Sequence, residues 1–238
     1  MQRVMSSAVL LVALTVFPFS GLLAYDGGAV KDGGTISGVV KFKGKAPKPK
    51  KLRITKDKKA CGKTAKSDQS LLISGGKIAN AVVVIKDIKK GKKVASKKVT
   101  LDQKGCEYNP HVLAFVAGST VEILNPDGVL HNVHSYSKKN SSFNKAQPKF
   151  KKKMRIKIEK PEVISVKCDV HGWMSGWLFS AENPYFSVTD KSGSFKLTDV
   201  PPGDYTVEVW HETLGKQSQK VTVKAKGEAK VDFELAKK

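Results

Sequence analysis

A short alternating segment that ends in a cysteine is the feature that most constrains how this chain can fold. Ile164, Val166 and Cys168 occupy every second position, and a period of two is typical of a β-strand with one buried face. The strand runs into residues 168–174 (CDVHGWM), which place a thiol, an imidazole and a thioether at intervals of three. The sequence therefore predicts a strand that brings Cys168 and a tight loop to one place in a β-fold.

Short segments of the same kind recur along most of the remaining sequence. Met154, Ile156 and Ile158 alternate with charged residues, whereas the uninterrupted run Val82–Ile85 indicates a strand buried on both faces. Residues 200–204 (VPPGD) have the composition of a tight turn between strands. Because no amphipathic helix of useful length follows the first 24 residues, we predict an all-β protein.

The first 24 residues have the three parts of a secretory signal peptide. Arg3 supplies a positive charge, residues 8–19 are apolar, and small residues precede Tyr25. We therefore predict that residues 1–24 are removed and that the mature protein is exported to the periplasm or the cell exterior. No later stretch is long and apolar enough to cross a bilayer. The glycine-rich residues 25–34 are expected to form a flexible leader.

The charge of the chain limits its partners. The sequence carries 43 lysines and arginines against 21 aspartates and glutamates, a formal net charge of +22. Because the protein is expected to be exported, nucleic acid is not predicted as its natural partner. Two interpretations stay open: a solvated lysine-rich surface, or attraction to an anionic envelope surface or an acidic redox protein.

The three cysteines, Cys61, Cys106 and Cys168, form an odd set. In an oxidising compartment an odd number indicates one disulfide and one thiol with another role. If Cys168 binds a metal, the disulfide joins Cys61 to Cys106, and closing that loop stabilises the protein by roughly 4 kcal/mol. The alternative, a disulfide that includes Cys168, would exclude a metal at that residue.

Residues 130–134 (LHNVH) add candidate imidazoles on a second predicted strand. Two histidines, one cysteine and a weakly bound methionine make up the ligand set of a blue-copper site, which carries single electrons. Zinc fits less well because its sites rarely use methionine. A catalytic cysteine would need a general base and an oxyanion hole, and the sequence specifies neither. The residues therefore predict a non-enzymatic protein that binds one copper ion.

Together, residues 130–134 and 168–174 resemble the cupredoxins of the amicyanin and plastocyanin kind, and the resemblance covers roughly residues 101–181. The Cys-x-x-His-x-x-Met spacing is similar to the short-loop form of that family. The resemblance implies a Greek-key β-sandwich. It also implies four copper ligands, which are His131, Cys168, His171 and Met174.

The same resemblance assigns roles to the neighbours of these ligands. It implies that His134 is not a ligand and that Asn132 forms a hydrogen bond across to the cysteine loop. It also implies that electrons enter and leave at a solvent-facing edge of His171, with Gly172 and Trp173 around it. The expected partner is therefore another redox protein.

A second resemblance begins in the C-terminal part of the chain. Residues 186–195 (FSVTDKSGSF) and 201–205 (PPGDY) resemble the turn-and-strand signatures of the carboxypeptidase regulatory-like domain, a non-catalytic, transthyretin-like β-sandwich. We assign residues 182–238 to this domain and residues 101–181 to the cupredoxin-like domain. The N-terminal β segment, residues 35–100, either belongs to a regulatory-like module that the cupredoxin unit splits or extends the cupredoxin sheet.

These assignments favour an exported blue-copper protein that transfers single electrons. Two alternatives keep the fold but change the role: a protein that stores or delivers copper, and a structural protein that binds the envelope. His111 and His211 are predicted to be structural residues near strand ends, with contact to a second metal as the alternative.

Overall fold

The computed structural model describes residues 25–94 and 98–237. The predicted signal peptide, residues 1–24, lies outside the described residues. Strands make up nearly all of the regular structure of the described part, which has a single helix of four residues. The all-β prediction is confirmed. No helix in these two ranges is long and apolar enough to span a membrane.

The elements are numbered in chain order. They are β1 (Asp26–Gly28), β2 (Gly34–Phe42), β3 (Lys51–Leu52), α1 (Lys58–Cys61), β4 (Lys66–Ser67), β5 (Ile73–Ser74), β6 (Lys77–Ile78), β7 (Val82–Ile85), β8 (Lys90–Lys92), β9 (Val99–Asp102), β10 (Val112–Val116), β11 (Thr120–Leu124), β12 (His131–Tyr136), β13 (Asn144–Gln147), β14 (Lys153–Lys157), β15 (Glu162–Lys167), β16 (Ser175–Ala181), β17 (Phe186–Val188), β18 (Ser194–Val200), β19 (Gly203–His211), β20 (Gly215–Val223), β21 (Glu228–Lys230) and β22 (Phe233–Leu235).

The central part of the chain forms one β-sandwich. Its two sheets have the strand orders β10-β16-β15-β12-β13 and β14-β11-β9. Ile164 and Val166 of β15 are fully buried in the core between these sheets. Cys168 belongs to the same buried cluster, so the alternation along β15 carries the thiol to the core side of the sheet.

A second sandwich combines strands from both ends of the chain. One sheet has the order β17-β7-β19-β20, and in the other β18, β2, β6 and β5 follow one another while β21 and β22 also pair with β2. Thus β2 pairs with β18, and β7 lies between β17 and β19. The N-terminal strands share their sheets with C-terminal strands, and the central sandwich lies between these two parts in the sequence.

The two sandwiches pack on each other through a separate hydrophobic cluster. Alternate residues of β7 face the core of the second sandwich and the cluster at the junction, and every residue from Val82 to Ile85 is at most 4% exposed. This double burial explains the uninterrupted apolar run in the sequence. Trp210 of β19 meets Trp177 of β16 edge-on across the junction, with ring centroids 5.2 Å apart.

Residues 25–34, which were expected to form a flexible leader, include a strand and several contacts to the rest of the protein. β1 pairs in parallel with β8 along all three of its residues. The hydroxyl of Tyr25 donates a hydrogen bond of 2.6 Å to the carbonyl oxygen of Lys92, and the Tyr25 ring packs against Tyr185 with centroids 6.4 Å apart. Backbone pairing and aromatic contacts therefore order a segment whose composition is that of a linker.

Residues 51–67, hereafter the strap, lie against the central sandwich, although β2 and β7 on either side of them belong to the other one. β3 pairs with β4, and α1 lies between these strands in the sequence. Ile54 packs into the central core, and a disulfide joins Cys61 to Cys106. This is the pairing predicted if Cys168 is free, and Cys168 is a free, buried cysteine. The N-terminal segment therefore contributes to both sandwiches.

Candidate metal centre

Neighbouring strands bring the predicted ligands together at one end of the five-stranded sheet. His131 is the first residue of β12, which pairs antiparallel with β15, and Cys168 directly follows β15. Residues 168–174 connect β15 to β16. Two backbone hydrogen bonds close this loop, from the Cys168 N–H to the Met174 carbonyl at 3.2 Å and from the Met174 N–H to the His171 carbonyl at 2.8 Å. One turn thus fixes the relative positions of three candidate ligands.

Three potential ligand atoms converge in a buried cluster. Nδ1 of His131 lies 3.0 Å from Nδ1 of His171, and Sγ of Cys168 lies 3.8 Å from the same Nδ1 of His171. The donor atoms of these residues all lie within 4.8 Å of one another, and the residues are at most 2% exposed. A metal bonded to imidazole at roughly 2.0 Å and to thiolate at roughly 2.3 Å holds its ligands about 3–4 Å apart. The cluster therefore fits a mononuclear site of soft and borderline ligands.

The structure places Met174 near Cys168 and His134 away from it. Met174 is 1% exposed and packs in the same hydrophobic cluster as Cys168, and a thioether is a soft, weak ligand for a metal. His134 lies elsewhere: its Nδ1 is 3.2 Å from the Asp169 carboxylate, and its ring stacks on Tyr136 with centroids 4.5 Å apart. His134 is therefore not part of the group of converging donor atoms.

A carboxylate holds the far nitrogen of each imidazole in the cluster. Nε2 of His131 lies 2.9 Å from Oδ2 of Asp127, and Nε2 of His171 lies 2.8 Å from Oδ2 of Asp57. Each carboxylate can accept a hydrogen bond from a protonated Nε2. This leaves Nδ1 of each imidazole to face the other potential metal-ligand atoms. Asp127 also accepts hydrogen bonds from two backbone N–H groups, both at 2.7 Å, which fix its own position.

Burial and hydrogen bonds act in opposite directions on the pKa values of His131 and Cys168. Burial would lower the pKa of His131, but hydrogen bonds with Asp127 and Cys168 raise it to about 9. Burial would raise the pKa of the Cys168 thiol, but hydrogen bonds from His131 and three backbone N–H groups lower it. Burial lowers the pKa of His171 despite the nearby Asp57 carboxylate, which raises it. The thiolate is the form of cysteine that binds metals.

Asn132 connects β12 to the cysteine loop. Its Oδ1 accepts a hydrogen bond of 2.7 Å from the backbone N–H of Asp169, and its side-chain nitrogen donates to the Asp169 carboxylate at 2.9 Å. The same carboxylate accepts a hydrogen bond of 2.8 Å from Asn144 on β13. These contacts fix the residue that follows Cys168 and thereby the orientation of the thiol.

The expectation that an edge of His171 faces solvent is wrong. His171 is 0% exposed, because the strap covers it with the Asp57 carboxylate and with the disulfide, whose sulfur atoms lie within 4.8 Å of a ring nitrogen. Gly172 is exposed and Trp173 is half-buried. Of the three residues expected at the point of electron entry, these two reach the surface.

Asp57 and Asp127 are site residues that the sequence pattern did not reveal. Asp127 precedes His131 by four positions in a turn, and a carboxylate so close to a candidate ligand is the signal that could have indicated it. Asp57 lies in a lysine-rich segment 114 positions before His171. Nothing in the spacing of the sequence connects those two residues.

His111 and His211 lie apart from the metal cluster, near the junction of the sandwiches. Nε2 of His111 bonds with the Glu212 carboxylate, and this pair joins the start of β10 to the end of β19. Nδ1 of His211 accepts a hydrogen bond of 3.3 Å from the backbone N–H of Thr213. Burial lowers the pKa of His211 to about 4. His111 and His211 therefore connect strands and lie at strand ends.

Residues 180–236 match the family model of the carboxypeptidase regulatory-like domain. The match confirms the resemblance noted for the C-terminal motifs. Matched strands of this regulatory-like domain pair with β2 and β7, which lie outside the matched residues. No match to the chain was found among curated proteins.

Several solved structures resemble part of the chain. The Cu-containing nitrite reductase from Thermus scotoductus is 23% identical, with a TM-score of 0.34 over 39% of this chain and 25% of that one. The chain thus spans about a quarter of that enzyme's length. The purple cupredoxin from Nitrosopumilus maritimus is 21% identical, with a TM-score of 0.31 over 35% and 100% of the two chains. Amicyanin from Paracoccus versutus is 20% identical, with a TM-score of 0.32 over 37% and 86%.

Proposed function

We propose that the protein is exported, binds one copper ion through His131, Cys168, His171 and Met174, and transfers single electrons. The observation that carries the proposal is the convergence of two imidazole nitrogens and a buried thiol within 4.8 Å. Copper held by such a set supplies one-electron exchange between Cu(I) and Cu(II), because both states tolerate its mixture of soft and borderline ligands.

The surrounding residues hold this donor set in place. Asp127 and Asp57 orient the two imidazoles through Nε2, and Asn132 fixes the backbone next to the thiol. Because these hydrogen bonds restrict rotation of the ligands, the site changes little when copper gains or loses an electron. An electron carrier requires such a small rearrangement. The protein contributes orientation and exclusion of water, and this role suits a carrier better than an enzyme.

The surface around the site suggests the chemistry of its partner. Lys56, Lys58 and Lys59 are exposed on the strap that covers His171, and the chain as a whole has a net charge of +22. An acidic redox protein would be attracted to this face, with Gly172 and Trp173 as the point of electron entry. The same positive charge would attract an anionic envelope surface.

A second candidate function is storage or delivery of copper. The observation that favours it is the complete burial of His171 beneath the strap, because a covered ligand hinders contact with a redox partner. The donor residues would be the same. The two functions differ in whether the copper changes oxidation state during the protein's work.

Addition of Cu(II) to the chain without residues 1–24 tests both candidates. For an electron carrier we expect an intense blue colour that ascorbate bleaches and ferricyanide restores, with one copper per chain. A colourless protein that retains only Cu(I) would favour storage or delivery. No copper uptake in any oxidation state would overturn both and would leave the structural, envelope-binding role.

Matched variants locate the site. Cys168→Ser and His131→Ala should abolish the colour, because each removes one of the converging donor atoms. His134→Ala is the control, since this imidazole lies on the same strand but bonds to Asp169 and not to the cluster. Loss of colour in His134→Ala with retention in His131→Ala would contradict the assignment of the upstream ligand.

A further inference from the structure

The disulfide Cys61–Cys106 forms one wall of the metal centre. Both sulfur atoms lie within 4.8 Å of a ring nitrogen of His171, and the Cys106 sulfur also forms a group of the same size with donor atoms of His131 and Asp127. Cys61 is 4% exposed and Cys106 is 0% exposed. A cross-link that only closed a loop would not need to lie against both imidazoles of the site.

Each of the two cysteines is also held by contacts other than the disulfide bond. The backbone N–H of Cys106 donates a hydrogen bond of 2.7 Å to Asp127. The backbone N–H of Cys61 donates one of 2.9 Å to the carbonyl oxygen of Asp57, whose carboxylate bonds to His171. These contacts hold the backbone of each cysteine near the site independently of the bond between the two sulfur atoms.

We propose that reduction of this disulfide creates a second copper site, formed by the thiolates of Cys61 and Cys106 together with His171, that takes Cu(I). A dithiol reductant supplies two electrons and two protons, so that the S–S bond breaks, two thiols form and the reductant becomes a disulfide. Cu(I) then binds as the two thiols release their protons to water. Thiolate is the soft ligand that Cu(I) prefers. The proposal rests on the proposed function, because His171 belongs to both sites.

The oxidation state of the disulfide then selects between two ways of holding copper. In the oxidised protein Cys61 and Cys106 present no thiolate, and the metal ligands are those of the cluster around Cys168. In the reduced protein a second, thiol-rich set overlaps the first at His171, and a single Cu(I) is held by one set or the other. Reduction therefore favours retention of Cu(I) over electron transfer.

The decisive experiment uses Cys168→Ser in the chain without residues 1–24. This variant lacks the thiol of the first site but retains the disulfide. The protein is reduced with a phosphine, desalted without oxygen and titrated with Cu(I) against a chromophoric Cu(I) chelator. We expect no tight binding in the oxidised variant and one Cu(I) per chain after reduction. X-ray absorption should show two sulfur neighbours around the copper, and reoxidation should release the ion.

Two further variants make the outcome specific. In Cys61→Ser/Cys106→Ser with Cys168 intact, reduction should leave Cu(I) binding unchanged. In Cys168→Ser/His171→Ala, reduction should produce weaker binding than in Cys168→Ser alone.

Circular dichroism verifies that each reduced protein is folded. Reduced Cys168→Ser that is folded but binds no Cu(I), or that unfolds on reduction, would overturn the proposal. Failure of the proposed function looks different: oxidised wild type takes up no copper, whereas reduced Cys168→Ser still binds Cu(I).

Discussion

Asp57 bonds to His171 at 2.8 Å across 114 positions of the sequence. Asp57 has a left-handed backbone, with φ 46° and ψ 40°, and it belongs to the strap between two strands of the second sandwich. Its carboxylate reaches the site because Ile54 and the disulfide hold the strap against the central sandwich. The orientation of a candidate ligand in one sandwich therefore depends on a segment inserted between strands of the other.

This dependence predicts the effect of Asp57→Gly. Glycine adopts the left-handed backbone without steric cost, so the substitution removes the carboxylate and leaves the strap unstrained. We expect copper affinity to fall about 10–100-fold, the usual cost of losing a carboxylate behind a histidine ligand. Competition with a chelator measures it. Asp57→Asn keeps an acceptor oxygen and should retain most of the affinity. Equal affinities for wild type and Asp57→Gly would show that the carboxylate does not orient His171.

Asp127→Ala should weaken both copper binding and the fold. The substitution releases Nε2 of His131 and leaves the backbone N–H of Gly105 without its acceptor, whereas the N–H of Cys106 keeps a hydrogen bond to the Gln103 carbonyl. An unsatisfied buried donor costs roughly 1–3 kcal/mol, and we expect a loss of that order in the free energy of unfolding of the metal-free protein. Urea unfolding measures it. Asp68→Ala is the control, because the Asp68 carboxylate accepts a local hydrogen bond from Ser70. Equal stability of the two variants would contradict the anchoring role of Asp127.

Local pattern predicted the elements that deliver the ligands. The alternation of Ile164, Val166 and Cys168 indicates a strand with its thiol toward the core, and the structure has β15 ending one residue before Cys168. The run Val82–Ile85 indicates burial on both faces, which the junction of the two sandwiches provides. These features depend on side-chain periodicity within a few residues, and a sequence displays such periodicity directly.

Contacts between distant segments were not predictable in the same way. The exposed edge expected for His171 is covered by the strap, and Tyr25 is ordered by Tyr185 and Lys92. A lysine-rich or glycine-rich segment has the composition of a linker whether or not another sheet lies beside it. What fixes such a segment is a tertiary contact at long sequence separation, and no period of two or 3.6 residues records that contact.

Trp210→Ala should uncouple the two sandwiches. Trp210 is 7% exposed and packs on Trp177 and Phe179, with ring centroids 5.2 Å and 5.9 Å away. Truncating a buried tryptophan costs roughly 3–5 kcal/mol, and here the loss falls on the junction between the cores. We expect calorimetry to show earlier unfolding in two separated transitions. Phe150→Ala, at a side chain 81% exposed, should unfold as wild type does. A single transition at the wild-type temperature in Trp210→Ala would contradict the coupling.

Acid sensitivity should depend on His211, whose side chain is buried and only 1% exposed. Burial lowers its pKa from 6.5 to about 4, an effect that the neighbouring His111 reinforces and Glu212 opposes. Between these two values the unfolded chain takes up a proton that the folded protein excludes. Stability therefore falls as pH decreases from 6.5 to about 4, because the unfolded state binds more protons in that range.

His211→Asn should remove this dependence. Asparagine retains an acceptor near the position of Nδ1 for the Thr213 N–H but does not titrate. At one pKa unit per 1.4 kcal/mol, the His211 contribution amounts to roughly 3 kcal/mol between pH 6.5 and pH 4. The measurement is the free energy of unfolding of metal-free wild type and variant at several pH values, and the difference between the two curves isolates His211 from the other histidines. His134→Asn, at a partly exposed imidazole, is the matched control. Parallel curves for wild type and His211→Asn would mean that His211 is protonated in the folded protein at the same pH as in the unfolded chain.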